Sequence, residues 1–175
     1  MSINQELIRL MGNQSLHQIS FSISGHSVLG REMPRVAAAI QSGQWKVEVN
    51  PSAPKAYISI EQRLIVLTKP CLIGTDAIYE ALHECTHAML VLTGVDQPGM
   101  SVMVEIAATL LPIIYFFKTR PIEAESGLLF EQTDATRAFV DVVRKHRMYE
   151  TSVNLTQTDI QDLYLYTKSA MLYRR

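Results

Sequence analysis

Five consecutive residues, His83-Glu84-Cys85-Thr86-His87, carry the clearest chemical signal in this chain. They fit the pattern HExxH, in which two histidines on one helix bind a single metal ion. Because residues four apart lie on the same helix face, the two imidazoles can both reach a Zn²⁺ ion at about 2.0–2.1 Å. Glu84 is rotated by about 100° from His83 around the helix axis. It therefore lies outside the ligand set, where a general base can reach a water at the metal.

The context of the motif argues against an accidental match. The chain has only five histidines, and HExxH arises by chance in well under ~1% of chains of this length. The stretch from Thr75 to Leu92 reads as one helix, with Thr75 or Asp76 as its cap and Gly94 as its stop. Apolar residues flank the motif on both sides. We therefore predict a metal site on a buried helix.

A catalytic zinc site needs a third protein ligand and one open position. The metzincin pattern would require a glycine and a histidine where this chain has Leu90 and Thr93. Glu105 offers another solution, because it is the only charged residue between Gln97 and Lys118. A carboxylate alone in an apolar helix is costly unless it is paired or bound to a metal. We therefore predict that Glu105 completes the site from a second helix folded back beside the first.

Other interpretations of the same residues stay open. Asp96, in the turn after the motif helix, and Glu80, on the histidine face of that helix, are alternative third ligands. Glu105 can instead form a salt bridge or remain neutral through burial. The pattern is also compatible with a metal-binding protein that acts through a protein partner without catalysis, and with a structural helical protein that binds no metal.

The motif and its continuation resemble a known family. HECTH followed by Glu105-Ile-Ala-Ala108 looks like the gluzincin pattern of HExxH plus a downstream ExxA glutamate, and is similar to the small cytoplasmic peptidases of the ImmA/IrrE kind. The resemblance covers roughly residues 56 to 112. It implies a zincin-like fold in which zinc-dependent hydrolysis of peptide bonds uses His83, His87 and Glu105 as ligands and Glu84 as acid/base. It also implies that a strand beside the motif helix holds an extended protein or peptide substrate by edge pairing.

Composition narrows the class of protein. A chain of 175 residues with 47% hydrophobic and 19% charged residues suits a single globular domain, 1–175. Its net charge of −1 gives no reason to expect a nucleic-acid partner.

The N-terminus lacks the apolar region of a signal peptide, so we expect a cytoplasmic protein, although secretion without a cleaved signal would leave no such trace. The apolar run from Met100 to Phe117 approaches membrane-spanning length, and we interpret it as a buried core helix.

The remaining elements predict an α+β fold, with a small antiparallel sheet or hairpins packed on the two ligand-bearing helices and a helical C-terminal part. Further helices are predicted for Ser2 to Met11, Arg31 to Gln41, Thr133 to Tyr149, and Thr156 or Thr158 to about Tyr173. Strands are predicted for Ser15 to Ser24, Trp45 to Val49, and a hairpin of Ala56 to Ile60 with Leu64 to Leu67. Loops are predicted around Gly25 to Gly30 and Arg120 to Gly127.

Two supporting roles are predicted only as sets of candidates. The hydrolytic reaction needs a donor for the developing oxyanion, and the candidates are Tyr115, His146, Tyr149 and His26. A ligand histidine is commonly oriented through its second nitrogen, for which the candidates are Asp76, Glu80 and Asp96. The pattern reveals neither the sequence of the substrate nor the oligomeric state.

Overall fold

The chain folds into helices and two small sheets, and is an α+β protein as expected. The computed structural model describes residues 1–95, 102–127, 129–130 and 133–172, with the backbone alone for 168–172. The helices are α1 (Ile3–Met11), α2 (Gln14–His17), α3 (Met33–Gln41), α4 (Thr75–Leu92), α5 (Val102–Thr119), α6 (Pro121–Glu125), α7 (Asp134–His146) and α8 (Gln157–Leu172). The strands are β1 (Ser20–Ile23), β2 (His26–Leu29), β3 (Lys46–Val49), β4 (Tyr57–Ser59), β5 (Leu64–Leu67) and β6 (Val153–Asn154).

Both sheets are mixed, which corrects the expectation of a small antiparallel sheet. The first has the order β2-β1-β6, with β2 antiparallel and β6 parallel to β1. The second has the order β3-β5-β4, with β3 parallel and β4 antiparallel to β5. The predicted hairpin is therefore confirmed, and it places β4 at an edge of its sheet.

Helices α4 and α5 form the centre of the molecule. They pack against each other; α4 also contacts α3, β4 and β5, while α5 contacts α6, α7 and α8. Every residue of α5 from Val104 to Phe117 is buried except Thr109, and the helix continues through Pro112. Among the described residues, α5 is the one helix apolar and long enough to suit a membrane span, with mean hydropathy 1.6, and 72% of that window is buried within the fold.

The ends of α1 and α4 lie where capping residues and glycines in the sequence predict them. Helix α1 begins with a capping box, in which Ser2 and Gln5 exchange side-chain-to-backbone hydrogen bonds. The bounds of α4 agree with the prediction, but its N-cap is Gly74 at φ 88° and no side chain caps it. Thr75 and Asp76 are therefore its first residues. Part of the turn predicted after α4, including Asp96, lies outside the described residues.

Three local predictions are wrong in whole or in part, and one strand is not predicted; the second half of the stretch from Ser15 to Ser24 is strand β1, as expected. The stretch from Ser15 to Ser24 begins as helix α2, because the side chain of Asn13 caps it by accepting from the Ser15 amide. The loop predicted around Gly25 to Gly30 contains strand β2 instead. Ser24 and Gly25 adopt positive φ and turn the chain into a hairpin with β1. The loop predicted after Arg120 contains α6, with Pro121 in its first turn. Strand β6 is missing from the prediction.

Candidate metal centre and its cleft

Three side chains from α4 and α5 converge on one point. His83 and His87 lie one turn apart on α4, and Glu105 lies in the first turn of α5. The Nε2 atoms of the two histidines are 3.3 Å apart. Oε2 of Glu105 lies 3.4 Å from Nε2 of His83 and 3.8 Å from that of His87. The structure thus brings together the three residues predicted as ligands, with all ligand atoms within 4.8 Å of one another.

The spacing fits a small tetrahedral cation. Two ligand atoms bonded to zinc at about 2.0–2.1 Å with a tetrahedral angle lie about 3.3–3.4 Å apart. The shorter two separations, 3.3 Å and 3.4 Å, match that value, and the third, 3.8 Å, exceeds it slightly. Two neutral imidazole nitrogens and a carboxylate are also a donor set typical of zinc. The residues present therefore fit a metal ion of this kind.

The imidazole rings are oriented by packing. The ring of Tyr79 stacks on that of His83 at 6.2 Å, and the two histidine rings meet edge to face at 4.9 Å. The Nδ1 atoms of both histidines are buried and have no hydrogen-bond partner in the described part of the chain. The predicted role of Asp76 or Glu80 in orienting a histidine through Nδ1 is therefore wrong. The Nε2 atoms are the ones that point at Glu105.

The two buried carboxyl groups of the site, Glu84 and Glu105, have pKa values shifted in opposite directions. Burial raises the pKa of Glu84, and the charges of His83 and His87 oppose this rise without cancelling it. Burial would also raise the pKa of Glu105, but its hydrogen bonds and charge interactions with both histidines outweigh that effect and hold the pKa well below its usual range. Glu105 therefore favours the charged form that a metal ligand requires, while Glu84 is suited to exchanging a proton.

The alternative third ligands find no support in the described residues. Glu80 is not part of the converging set, and its Oε2 accepts a hydrogen bond from Thr68 Oγ1 at 2.6 Å. Asp76, a candidate for orienting a histidine and not for binding the metal, is exposed and lines the cleft. Asp96 lies outside the residues that the structure describes.

The four predicted oxyanion donors all lie away from the cleft. The hydroxyl of Tyr115 accepts a hydrogen bond from Asn13, and the imidazole of His146 pairs with Asp159. Tyr149 stacks on Phe117, and His26 is exposed on β2. None of the four lines the cavity that holds the metal ligands. These candidates are therefore wrong, because residue type alone does not show where a side chain lies.

The metal centre opens into a cleft of about 540 Å³. One side is formed by β4 and the two residues before it, including Lys55, Tyr57 and Ile58, and the floor is formed by α4 and α5. The opposite side is formed by the chain before α7, by α7, and by the C-terminal half of α8, where Tyr166 is 40% exposed.

Cys85, within the motif, is a core residue. Its side chain is fully buried, and burial, together with the neighbouring charge of Glu84, raises the pKa of the thiol to about 12. The thiol is therefore protonated at neutral pH and is not a metal ligand.

Comparisons of this chain with models of known protein families, with curated protein sequences and with solved structures find no match. The function therefore has to be inferred from the chemistry of the site.

Proposed function

We propose that this protein is a zinc-dependent peptidase that hydrolyses peptide bonds in a protein or peptide substrate. The observation that carries the proposal is the convergence of His83, His87 and Glu105, with zinc-like spacing, at the floor of an open cleft. Glu84 lines the same cleft, beside this set. A motif helix, a second ligand-bearing helix and a neighbouring strand edge are together typical of a zincin of the gluzincin type.

Each residue has a defined role in the proposed reaction. Zinc bound by His83, His87 and Glu105 would acidify a water ligand toward a pKa of about 7 and polarise the substrate carbonyl. Glu84 takes a proton from the attacking water and delivers it to the leaving amine. Burial shifts the pKa of Glu84 upward, toward neutral pH, and such a shift suits a group that both accepts and donates a proton.

The strand β4 supplies a means of holding the substrate. In the described residues β4 pairs with β5 on one side, which leaves its other edge available. Lys55, Tyr57 and Ile58 line the cleft from this edge. An extended peptide that adds to the edge of β4 would form backbone hydrogen bonds that do not depend on its sequence.

The proposal is tested by metal content and hydrolysis, measured on untagged protein. Elemental analysis should give about one zinc per chain for the wild type and for Glu84→Gln, and a large loss for Glu105→Ala. Glu84→Gln should reduce cleavage of a peptide library by about 10²–10⁴-fold. Because this variant keeps its metal, it separates a loss of proton transfer from a loss of zinc.

Three outcomes would contradict the proposal. Wild-type protein that binds no zinc after reloading would remove the metal site. Full hydrolysis by Glu84→Gln would remove the proposed acid/base. Bound zinc without cleavage of any peptide would favour the alternative of a metal-binding protein that acts by holding a partner.

A further inference from the structure

We propose that the cleft selects peptides with a large apolar residue, of the size of leucine or phenylalanine, within two positions of the cleaved bond. The side chain of that residue would enter an apolar pocket formed by Leu129, Phe130, Ala135 and Phe139. This inference rests on the peptidase function proposed above and adds the class of substrate to it.

The apolar pocket belongs to the same cavity as the metal ligands. Its residues line the cleft together with His83, His87 and Glu105. A cavity of about 540 Å³ is about 8 Å across if it is cubic, and an extended peptide advances about 3.3 Å per residue. The pocket is therefore within about two residues of any bond placed at the metal centre.

The arrangement of elements places the pocket across the cleft from β4. Helix α4 contacts β4, whereas α5 contacts α7 and α8. The cleft therefore lies between the free edge of β4 and the wall that contains the apolar pocket. A peptide held at the edge of β4 passes between the two, so its side chains near the scissile bond meet this wall.

The pocket is preformed by aromatic packing. The ring of Phe130 stacks on Phe117 at 6.3 Å and meets Phe116 edge to face at 6.0 Å. Phe130 is 8% exposed and Phe139 is 3% exposed, so both rings are held in the core and present only part of their surface to the cleft. A preformed apolar surface binds an apolar side chain without the entropic cost of ordering the wall.

The described charged residues of the cleft lie on the elements that do not form the apolar pocket. The charged residues lining the described cleft, beyond Glu84 and Glu105, are Lys55, Asp76 and Glu80, and they belong to the β4 and α4 side. Among the residues that the structure describes, the opposite wall is lined by aromatic, aliphatic and threonine side chains, with Tyr166 at its rim. A charged substrate residue placed against it would lose hydration without gaining an opposite charge.

The experiment narrows the apolar pocket without opening a cavity in the core. Ala135 is half-buried on α7 and lines the cleft, so Ala135→Leu would fill part of the pocket. Ala138 is half-buried on the same helix but borders the groove between α7 and α8, so Ala138→Leu is the matched control. Leucine is a good helix former, and circular dichroism would confirm that both variants fold.

We expect wild-type cleavage sites in an unbiased peptide library to be enriched in large apolar residues near the cleaved bond. Ala135→Leu should lower kcat/KM for peptides with leucine or phenylalanine at that position by about tenfold or more, relative to peptides with alanine there. Ala138→Leu should leave this ratio unchanged. In the Glu84→Gln background, fluorescence anisotropy should show a similar relative loss of affinity for the same peptides, which gives a readout independent of turnover.

Failure of this inference can be distinguished from failure of the peptidase function. Cleavage or binding with no apolar preference, or a preference that Ala135→Leu leaves intact, would overturn the apolar pocket alone. A protein that neither cleaves nor binds any library peptide would overturn the peptidase function and this inference together.

Discussion

Glu84 and Glu105 show how neighbouring groups decide what a buried carboxyl can do. Both are nearly inaccessible, at 7% and 8% exposure, and burial acts on both in the same direction. Only Glu105 has its Oε2 within 3.4 Å and 3.8 Å of the histidine nitrogens. Two residues of the same type therefore have pKa values shifted in opposite directions through a difference in contact, and the proposed mechanism uses Glu105 as a fixed charge and Glu84 as the proton carrier.

Asp159 provides a prediction about stability and pH. Its buried carboxylate accepts hydrogen bonds from Lys145 Nζ at 2.7 Å, His146 Nε2 at 2.8 Å and the Thr156 amide at 3.1 Å. Burial opposes ionisation, but these donors outweigh it and hold the pKa of Asp159 well below its usual value. We expect Asp159→Asn to lower the free energy of unfolding at pH 7 by about 2 kcal/mol.

The sign of the pH dependence follows from the lowered pKa. The stabilisation is fully present above the unfolded-state pKa of about 3.9 and is lost as the pH falls toward the folded-state pKa. The difference in the free energy of unfolding between wild type and Asp159→Asn, measured by urea unfolding, should therefore be clearly smaller at pH 3 than at pH 7. The control is Asp162→Asn, on the exposed face of α8. Equal unfolding curves for Asp159→Asn and wild type at pH 7 would contradict the prediction.

At this scale, the sequence predicts which three side chains converge but not the rest of the cleft. His83 and His87 are related by helical periodicity, and Glu105 stands out as an isolated charge in an apolar helix. Lys55, Phe130 and Tyr166 meet at the cleft only because β4, the chain before α7, and α8 come together in three dimensions. The spacing of residues along the chain does not show that these side chains line one cleft. For the same reason, residue type alone does not identify an oxyanion donor, and the four candidates lie elsewhere.

The connection between β2 and α3 depends on a glycine. A Cβ atom on Gly30 would lie 1.9 Å from the carbonyl oxygen of Leu16, and the Gly30 amide donates to Ile19 O at 2.8 Å. We therefore expect Gly30→Ala to lower the free energy of unfolding by at least about 2 kcal/mol, because backbone must move to relieve the overlap. Urea denaturation would measure the change.

Gly12 is the matched control for Gly30. It follows α1 at φ −82°, and an added Cβ would find its nearest atoms at 3.5 Å, an ordinary contact distance. Gly12→Ala should therefore change the free energy of unfolding by less than about 1 kcal/mol. If both alanine variants were equally stable, the close approach at Gly30 would be disproved.

Elements with a long periodic pattern are predicted better than short ones. The bounds of α4 are predicted to the residue, because eighteen residues of helical pattern end at glycines. Strand β6 has two residues and owes its existence to pairing with β1. Helix α2 has four residues and depends on the Asn13 cap. Such elements are set by tertiary partners or a single hydrogen bond, which hydrophobic periodicity does not report.

For the whole molecule, a metal bound across two helices should be coupled to folding. The ligands come from α4 and α5, so the complete site exists only when these helices are packed. A ligand that binds only the folded state at 100 times its Kd stabilises it by about 2.7 kcal/mol. For a chain of this size, zinc should therefore raise the Tm by roughly 5–10 °C relative to chelated protein.

Differential scanning fluorimetry with zinc and with a chelator would check this coupling. Glu84→Gln should keep the difference in Tm, since Glu84 is not in the ligand set, whereas Glu105→Ala should lose most of it. An identical Tm in zinc and in chelator for the wild type would show that the helix pair does not bind the ion.

The pairing of β6 with β1 has a consequence for biosynthesis. Ser22 and Asn154 are hydrogen-bonded neighbours across the two strands, yet 132 positions separate them in the chain. Ribosomes add about 5–20 residues per second, so this edge of β1 waits roughly 7–26 s for its partner to be made. Throughout that interval β1 can pair with β2 on one side only, and its other edge lacks its native partner. The yield of this protein in a cell should therefore depend on chaperones that cover the early hairpin.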